Sequence, residues 1–228
     1  MKKVISFSLW GNSPTYNIGA IKNAELANVY YPEFECWFYI HQETVPEHTI
    51  YELMKLKNCK IIFKTGDLNV VKPMTWRFEA IDDPEVEIMM SRDTDTRILQ
   101  RETLAVREWL NSNKLFHILR DHPHHRFCIL GGMFGTRKLP EIESWKTQID
   151  KIIQTGARDY DQDFLRNYIY PIIKNDSIIH ASFNKNETHA KDFPMDYCSE
   201  LKFVGEYVYH DESRSNEHVL ILKKSLNK

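Results

Sequence analysis

Two carboxylates stand two positions apart, directly after an apolar segment of the chain. Asp93 and Asp95 flank Thr94, and residues 86–90 before them have the β-branched and apolar composition of a buried strand. On an extended segment, residues i and i+2 point to the same side, so both carboxylates face the same volume. Carboxylate oxygens are ligands that hard divalent cations prefer. The pair therefore predicts a divalent-metal site at the end of this strand.

Two arginines flank the acidic pair in the sequence. Arg92 precedes it and Arg97 follows it. A divalent cation beside positive charge suits a ligand that carries phosphates. The same arginines could instead form ion pairs with the two carboxylates or with Glu102. The pair itself could also be an ordinary solvated strand end.

The segments before the acidic pair alternate between two hydrophobic patterns. Short apolar runs predict strands at residues 4–9, 36–40, 59–63 and 86–90. Apolar residues at helical spacing predict helices at residues 18–29, 49–57 and 76–81. This alternation is typical of parallel βαβ units, in which ligands bind beyond the carboxyl ends of the strands. Asp93 and Asp95 follow the fourth predicted strand at that edge, and Trp10 and Gly11 follow the first.

Further helices and strands are predicted after the acidic pair. Helices are expected at residues 102–110, 142–155 and 161–170, and strands at residues 127–130 and 177–180. The first of these strands leads into Gly131 and Gly132, where the missing side chains would let a ligand approach the backbone, or would simply make a turn. The second ends at His180. No repeat or linker divides the chain, so we expect one domain over residues 1–228.

The overall composition is that of a soluble globular domain. The chain has 228 residues, of which 42% are hydrophobic and 27% charged, with a formal net charge of −2. This charge gives no basic surface for nucleic acid. No stretch approaches the ~20 apolar residues of a membrane span, and the apolar start ends too early for a cleaved signal peptide. The cysteines are far apart, so we expect reduced thiols and a cytoplasmic protein.

Several common phosphate-binding motifs are excluded. The first predicted strand is followed by Trp10-Gly11-Asn12-Ser13-Pro14, which is neither a dinucleotide-binding glycine motif nor a P-loop. Phosphatases of the haloacid dehalogenase type have a strand followed by D-x-D-x-[TV] near the start of the domain. Here the fifth position is Arg97 and the pair follows the fourth predicted strand, which argues against that class.

An ordered set of segments resembles the GT-A glycosyltransferases, in particular small polysaccharide and viral enzymes and the galactosyltransferase and glycogenin type. The resemblance covers most of residues 4–183. It rests on Phe7-Ser8-Leu9-Trp10-Gly11, Trp76-Arg77-Phe78, Ser91-Arg92-Asp93-Thr94-Asp95-Thr96-Arg97, Arg120-Asp121-His122-Pro123, Gly131-Gly132-Met133-Phe134-Gly135, Asp161-Gln162-Asp163-Phe164-Leu165, and His180. It implies a single-domain α/β fold with a mostly parallel central sheet flanked by helices, and a hexosyltransferase activity.

The resemblance also implies a metal and a nucleotide-sugar donor. Mn²⁺, or Mg²⁺, would be held by Asp93, Asp95 and His180, and the imidazole favours Mn²⁺. A uridine diphosphate sugar is the expected donor. The donor-binding residues would be Trp10, Gly11, Tyr16, Arg77, Arg92, Asp93, Gly131 and Gly132. The related enzymes continue after this histidine with a glycine and a Lys-Pro-Trp segment, whereas this chain continues with Ala181-Ser182-Phe183. Another cation, Arg77, Arg92, Arg97 or Lys185, would then replace the lysine at the diphosphate.

The catalytic residues implied by the resemblance come from Asp161-Gln162-Asp163. In a retaining enzyme Gln162 and Asp163 would lie nearest the anomeric carbon. In an inverting enzyme a carboxylate deprotonates the acceptor hydroxyl, and Asp121, Asp161 and Asp163 are the candidates. The stereochemistry stays open at this point.

Other functions also fit parts of the sequence. A metal-dependent phosphoesterase or nuclease could use Asp93, Asp95 and His180, although the net charge disfavours long nucleic acids. A non-catalytic nucleotide-sugar-binding domain would keep the same fold. His122, His124 and His125 suggest zinc but lack the usual spacing of structural zinc ligands. The acceptor could be a glycan, a lipid-linked glycan or a protein glycan, with transient membrane docking possible, and the oligomeric state is open.

Overall fold

A computed structural model describes residues 1–69, 72–138, 143–152 and 159–227, without the side chain of Ile152. Its centre is a seven-stranded sheet with the strand order β3-β2-β1-β4-β6-β5-β7. The strands are β1 (Lys2–Leu9), β2 (Glu35–His41), β3 (Cys59–Lys64), β4 (Val86–Arg92), β5 (Phe116–Arg120), β6 (Met133–Arg137) and β7 (Ser177–Ala181). Only β6 runs antiparallel to its neighbours in this sheet, so the sheet is mostly parallel, as the sequence predicts.

Helices connect the strands and cover both faces of the sheet. They are α1 (Pro14–Tyr30), α2 (Glu47–Lys55), α3 (Pro73–Trp76), α4 (Gln100–Leu110), α5 (Trp145–Ile152), α6 (Tyr160–Phe164), α7 (Tyr170–Ile173) and α8 (Asn216–Leu226). A 3-10 turn, Arg77–Asp82, continues α3, and a π-helical turn, Leu165–Ile169, joins α6 to α7. One apolar cluster centred on Phe78 and Phe134 and another centred on Phe7 and Phe38 form the core.

The strand order changes direction between β1 and β4. From β1 the chain proceeds to β2 and β3 on one side, then returns to place β4 on the other side of β1. In open α/β sheets such a reversal opens a crevice beyond the carboxyl ends of the two strands, and ligands bind there. Trp10 follows β1 and Asp93 follows β4, so the fold places both at this crevice.

One predicted strand is wrong. Residues 127–130 form an irregular loop, and the strand begins after the glycines, at Met133. Met133 to Arg137 can pair with β4 on one side and β5 on the other, whereas the carbonyl of Cys128 accepts a hydrogen bond from Arg120 instead. The sequence shows the apolar character of both segments, but the available pairing partners decide which becomes a strand.

The other segment predictions agree with the structure where it describes them, except for the predicted helix at residues 76–81. The predicted helix at residues 76–81 is mostly a 3-10 turn, and the part of the predicted helix 142–155 within the described residues is Trp145–Ile152. All four cysteines are free thiols, as expected. None of the helices among the described residues has the length and apolar character needed to cross a membrane.

Candidate active site

A buried arginine joins two acidic residues at the crevice. The guanidinium of Arg77 forms an ion pair with Asp93 through Nη1 and lies 3.4 Å from Asp161 Oδ2 through Nη2. Its backbone N–H donates a hydrogen bond of 3.0 Å to the hydroxyl of Ser8 on β1. The turn after α3, the end of β4 and the start of α6 therefore meet at one cation. Of the four candidate cations for the diphosphate, this one contacts the acidic pair directly.

The Asp161 carboxylate is buried in this cluster, with Gln162 beside it. Gln162 Nε2 donates to Asp161 Oδ2 at 3.1 Å, and burial raises the pKa of Asp161, an effect that Arg77 partly offsets. The Nε of Arg77 and the Oε1 of Gln162 are buried without a hydrogen-bond partner among the described residues. Unsatisfied buried polar atoms are costly, so they often indicate where a ligand or water binds. We name Arg77, Asp93, Asp161 and Gln162 the Arg77 cluster.

The two predicted glycines form one wall of the Arg77 cluster. A Cβ atom on Gly131 would lie 2.6 Å from Asp161 Oδ2 and 2.7 Å from Arg77 Nη2, and one on Gly132 would lie 1.8 Å from Asp93 Oδ2. No other residue type fits at these positions without displacing the cluster. The hydroxyl of Ser91 fixes the turn by donating to the carbonyl of Gly131 at 2.6 Å.

Helix α1 holds the backbone of the acidic pair in place. Asn23 Nδ2 donates to the carbonyls of Thr94 and Thr96, at 3.3 and 2.7 Å, and its Oδ1 accepts from the N–H of Ile98. A Cβ on Gly19 would lie 1.9 Å from the Thr94 carbonyl oxygen, so the helix packs directly on this loop. Sequence reasoning missed both α1 residues, although a glycine and a buried asparagine inside a helix were signals of such close packing.

Among the described residues, limited positive charge and few hydrogen-bond donors offset the charges of the two carboxylates in the acidic pair. The Asp93 side chain is 40% exposed, and no other described residue donates a hydrogen bond to the Asp95 carboxylate. Burial and the neighbouring charge of Asp93 raise the pKa of Asp95 to about 7. Among the described residues, no group of three or more histidine, cysteine, aspartate or glutamate side chains converges on a metal position. The pair therefore offers two oxygen ligands, and other ligands would have to come from water or a bound molecule.

A cavity of about 310 Å³ adjoins the acidic pair at the end of β1. It is lined by Ser8, Leu9, Trp10, Gly11, Asn12, Ser13, Tyr16 and Thr94. Gly11 has a left-handed backbone with φ of +75°, and its N–H donates to the hydroxyl of Thr44. Trp10 and Tyr16 present exposed rings, so the cavity combines aromatic surface with backbone polar groups. The residues predicted to bind a nucleoside thus lie beside the predicted metal residues.

The structure does not bring His180 to the acidic pair. β7 lies three strands from β4, and adjacent strands are about 4.8 Å apart, which gives a separation of roughly 14 Å across the sheet. The imidazole is buried, with Nδ1 hydrogen-bonded to His117 and Nε2 to Glu108. Burial lowers the pKa of His180 to about 4. This placement corrects the expected three-residue ligand set and removes the imidazole that favoured Mn²⁺ over Mg²⁺.

Asp121 is an internal anchor rather than an accessible base. Its fully buried carboxylate accepts hydrogen bonds from Arg101, Ser182, Tyr197 and the N–H of Val204, at 2.6 to 2.9 Å. Each oxygen already has partners, so the carboxylate is not free to take a proton from an acceptor. The structure therefore differs from the expectation that Asp121 could be a catalytic base.

Two further predicted residues point away from the Arg77 cluster. Arg92 is buried on the other face of β4, where its Nε donates to Glu102 and its Nη1 to the carbonyls of Ser91 and Phe134. The Asp163 side chain is half exposed and forms an ion pair with Arg166 at 2.7 Å. Arg92 therefore does not reach a donor at the crevice, and of the D-Q-D segment only Asp161 and Gln162 join the cluster.

The remaining candidate cations and histidines have structural partners. Arg97 pairs with Glu212 at 2.8 Å and Lys185 with Asp192 at 2.7 Å. The ring of His122 packs against those of His124, His125 and Phe203, and the three histidines form no metal cluster in the described part of the chain.

Comparison with known proteins addresses the fold. No protein-family model matches the chain, and no curated protein matches it significantly. Among solved structures, a glycosyltransferase involved in the glycosylation of the major capsid of PBCV-1 matches 79% of this chain and 82% of its own, with a TM-score of 0.50 and 14% identity. The fold is that of the GT-A glycosyltransferases.

Two other solved structures show weaker likeness. The galactosyltransferase LgtC, solved with donor and acceptor sugar analogs, matches 76% of this chain and 72% of its own at a TM-score of 0.45 and 12% identity. The 4-diphosphocytidyl-2C-methyl-D-erythritol synthase from Anaerococcus prevotii DSM 20548 matches 100% and 99% at a TM-score of 0.48 and 10% identity.

Proposed function

We propose that the protein is a metal-dependent glycosyltransferase that moves a hexose from a uridine diphosphate sugar to a hydroxyl of a glycan or glycoconjugate. The observation that carries the proposal is the position of the Arg77 cluster. Arg77 links Asp93 to Asp161 at the strand-order reversal, against a glycine wall and beside a 310 Å³ cavity with aromatic walls. The Arg77 cation and the carboxylates thus lie next to the nucleoside-sized cavity, as the diphosphate and sugar of a nucleotide sugar lie next to its nucleoside.

The donor would lie across the crevice from β1 towards α6. The uracil and ribose would occupy the cavity of Trp10, Gly11 and Tyr16, where an aromatic ring can stack on the base. The sugar would lie against Gly131 and Gly132, within reach of the Asp161 carboxylate and the unpartnered oxygen of Gln162. Carboxylate and amide groups of this kind bind sugar hydroxyls and hold the anomeric carbon in place.

The residues present fit a divalent cation that keeps part of its own hydration. Mg²⁺ and Mn²⁺ are commonly held by one or two carboxylates together with substrate phosphates and water. Asp93 and Asp95 would supply those carboxylates. When bound, the cation neutralises the charge that develops on the departing diphosphate. Arg77 would add a fixed positive charge on the same side, and because it is buried its position costs little reorganisation.

The transfer needs no reagent other than the donor and the acceptor. A bond forms between the acceptor oxygen and the anomeric carbon, and the bond from that carbon to the diphosphate oxygen breaks. The electron pair leaves with uridine diphosphate, and the hydroxyl proton is released. A buried, ordered site favours this exchange because the charged groups are oriented before the reaction begins.

The direct test measures release of uridine diphosphate from UDP-glucose and UDP-galactose with Mn²⁺, with Mg²⁺ and with a chelator. We expect release only with metal, and a loss of roughly 100-fold or more in Asp95→Asn, because one metal ligand loses its charge. The matched control is Asp192→Asn, an exposed aspartate paired with Lys185 outside the site. Full activity of Asp95→Asn, or release that persists with chelator, contradicts the metal assignment.

A thermal-shift experiment identifies the donor independently of turnover. A ligand that binds only the folded state raises the melting temperature, by an amount that grows with the logarithm of its concentration relative to its Kd. We expect a shift with one nucleotide sugar that requires the metal, and a much smaller shift in Trp10→Ala. An equal shift in wild type and Trp10→Ala would place the nucleoside elsewhere.

A further inference from the structure

A hairpin near the C-terminus is attached directly to the acidic pair. The N–H of Val208 donates to the carbonyl of Asp95 at 2.8 Å. Val208 pairs with Arg214 in an antiparallel bridge, and the N–H of Tyr209 donates to Ser213 at 2.9 Å. We name residues 207–214 the tyrosine hairpin. The first half of the hairpin therefore lies against the backbone of Asp95.

Two ion pairs fix the tyrosine hairpin in this position. Arg97 forms hydrogen bonds to Glu212, the shortest of them 2.8 Å long, and Arg214 donates to Glu206 at 2.7 Å. Arg97 is buried, so Glu212, although its side chain is 54% exposed, is held against a fixed charge. This arrangement also accounts for the arginine that follows the acidic pair in the sequence.

Two tyrosines of the hairpin lie on the same side. Because side chains alternate along an extended segment, Tyr207 and Tyr209 face one direction and the buried Val208 between them faces the other. Their rings meet edge to face with centroids 4.9 Å apart, and Tyr209 is 42% exposed. The pair is thus an ordered aromatic surface open to solvent.

This aromatic surface is continuous with the crevice. Tyr16 lines the nucleoside-sized cavity, and its phenol lies near Asp95 and Tyr207. Burial and these neighbouring groups raise the pKa of Tyr16 to about 12, so its hydroxyl stays a hydrogen-bond donor at neutral pH. Tyr16, Tyr207 and Tyr209 are thus neighbouring aromatic groups beside Asp95.

The charge around this surface favours an uncharged ligand. The arginines next to it, Arg97 and Arg214, are already paired with Glu212 and Glu206. An anionic ligand would therefore find no unpaired arginine among the described residues of the hairpin. A saccharide is neutral, its ring has a face of C–H groups that packs on aromatic rings, and its hydroxyls can bond to phenols and carboxylates.

We propose that Tyr207 and Tyr209 form a platform that binds a hexose ring of the saccharide acceptor and presents its hydroxyl to the donor sugar at the Arg77 cluster. This rests on the proposed function, because the platform needs a donor beside the acidic pair. It assigns the acceptor to the saccharides, and it gives the tyrosine hairpin a role in acceptor specificity.

The test separates transfer to water from transfer to a saccharide. Hydrolysis of UDP-galactose or UDP-glucose with Mn²⁺ reports the donor site, and transfer to lactose, cellobiose and maltotriose reports the acceptor site. In Tyr209→Ala and Tyr207→Ala we expect the acceptor KM to rise about tenfold, since the loss of one stacking ring weakens binding by about this factor. The donor KM and the rate of hydrolysis should stay within about twofold of wild type. Tyr209→Phe keeps the ring and should keep most of the acceptor affinity. Tyr51→Ala, an exposed tyrosine on α2, is the matched control.

Saccharide binding without donor gives a second measurement. Saturation-transfer NMR with the same three saccharides should show contact with wild-type protein and reduced contact with Tyr209→Ala, while circular dichroism shows both folded. An unchanged acceptor KM in both alanine variants overturns the platform, and so does a raised donor KM, which would assign the tyrosines to the nucleotide. Absence of metal-dependent hydrolysis in wild type overturns the proposed function instead. If none of the three saccharides contacts the wild-type protein, the platform is overturned and the proposed function is not.

Discussion

Arg77 and Asp161 lie 84 residues apart in the chain, yet the guanidinium Nη2 of one is 3.4 Å from the carboxylate Oδ2 of the other. The same guanidinium contacts Asp93 at the end of β4. A buried charge of this kind is stable only while its partners remain, so the contact ties the proposed metal residues to the residues expected beside the sugar. Each part of the site therefore depends on the position of one side chain.

Replacement of Arg77 by lysine should impair turnover more than binding of the nucleoside. Lysine keeps the charge but cannot bridge two carboxylates with a planar fork, so Asp161 loses its partner. We expect kcat for UDP-sugar hydrolysis to fall about 100-fold, with a much smaller change in affinity for uridine diphosphate without metal. Arg107→Lys, an exposed arginine on α4, is the control. Wild-type turnover in Arg77→Lys would show that the bridge is dispensable.

The two neighbouring glycine positions should respond to alanine in different ways. In Gly132→Ala the new methyl group would displace the Asp93 carboxylate, whose Oδ2 lies 1.8 Å from the Cβ position. Metal-dependent activity should therefore fall, with a modest loss of stability because the buried Arg77 keeps only Asp161 as a carboxylate partner among the described residues. In Gly135→Ala the methyl group meets the buried ring of Trp109 at 2.7 Å, so the melting temperature should fall while the activity of the folded protein is kept. Thermal melts and initial rates on both variants distinguish these outcomes. Equal losses of activity and of stability in the two variants would show that the two glycine positions do not differ in role.

Removal of the charge of Asp121 should unfold the protein more readily without changing the chemistry. Arg101 would be left buried without its partner, which typically costs about 3–5 kcal/mol of unfolding free energy. In Asp121→Asn we expect this loss in urea denaturation, with near-normal kcat for the molecules that remain folded. A folded and stable Asp121→Asn protein without activity would restore this residue as a candidate base.

Acid should destabilise the protein through its buried histidines. Burial lowers the pKa of His125 to about 3 and that of His180 to about 4, below the ordinary value near ~6.5. At a pH between the folded-state and unfolded-state pKa values of a ring, that ring binds a proton only when the chain unfolds. The stabilisation is therefore complete above the unfolded-state pKa and decreases as the pH falls, by about 1.4 kcal/mol per pH unit for each ring.

Urea denaturation from pH 7.5 down to pH 5 measures this effect. His125→Asn, whose amide oxygen can still accept from the N–H of Asp121, should show a shallower decline than wild type. His48→Asn, an exposed histidine on α2, should follow the wild-type curve. Parallel curves for wild type and His125→Asn would show that His125 is not neutral in the folded protein.

The sequence predicts the crevice but not every residue in it. The strand positions and the parallel connections are visible as hydrophobic patterns, so the positions of Asp93 and Trp10 at the carboxyl edge could be deduced. Lateral order is not visible in such a pattern, because pairing is decided by tertiary contacts. His180 does end a strand, but that strand pairs with β5 and lies three places from β4.

Local geometry explains two other differences. Arg92 immediately precedes Asp93 at a strand end, and adjacent residues of a strand face opposite sides, so Arg92 turns to Glu102. Asp161 and Asp163 are two residues apart on a helix, where that spacing corresponds to about 200° around the axis. Only one of them can face the cluster, and the buried one is Asp161. Both differences follow from the element types once these are known.

The reversed direction of β6 has a practical consequence for labelling. Because β6 runs antiparallel to β4 and β5, the turn before it belongs to the crevice, and its end returns to the opposite edge, where the N–H of Lys138 bonds to Glu87. The connections 83–85 and 111–115 lead into β4 and β5 at that same far edge. A fluorophore or short epitope tag inserted there would lie a full strand length from the proposed donor site, so the proposed transfer could be assayed on a surface or in a cell extract without obstruction of that site.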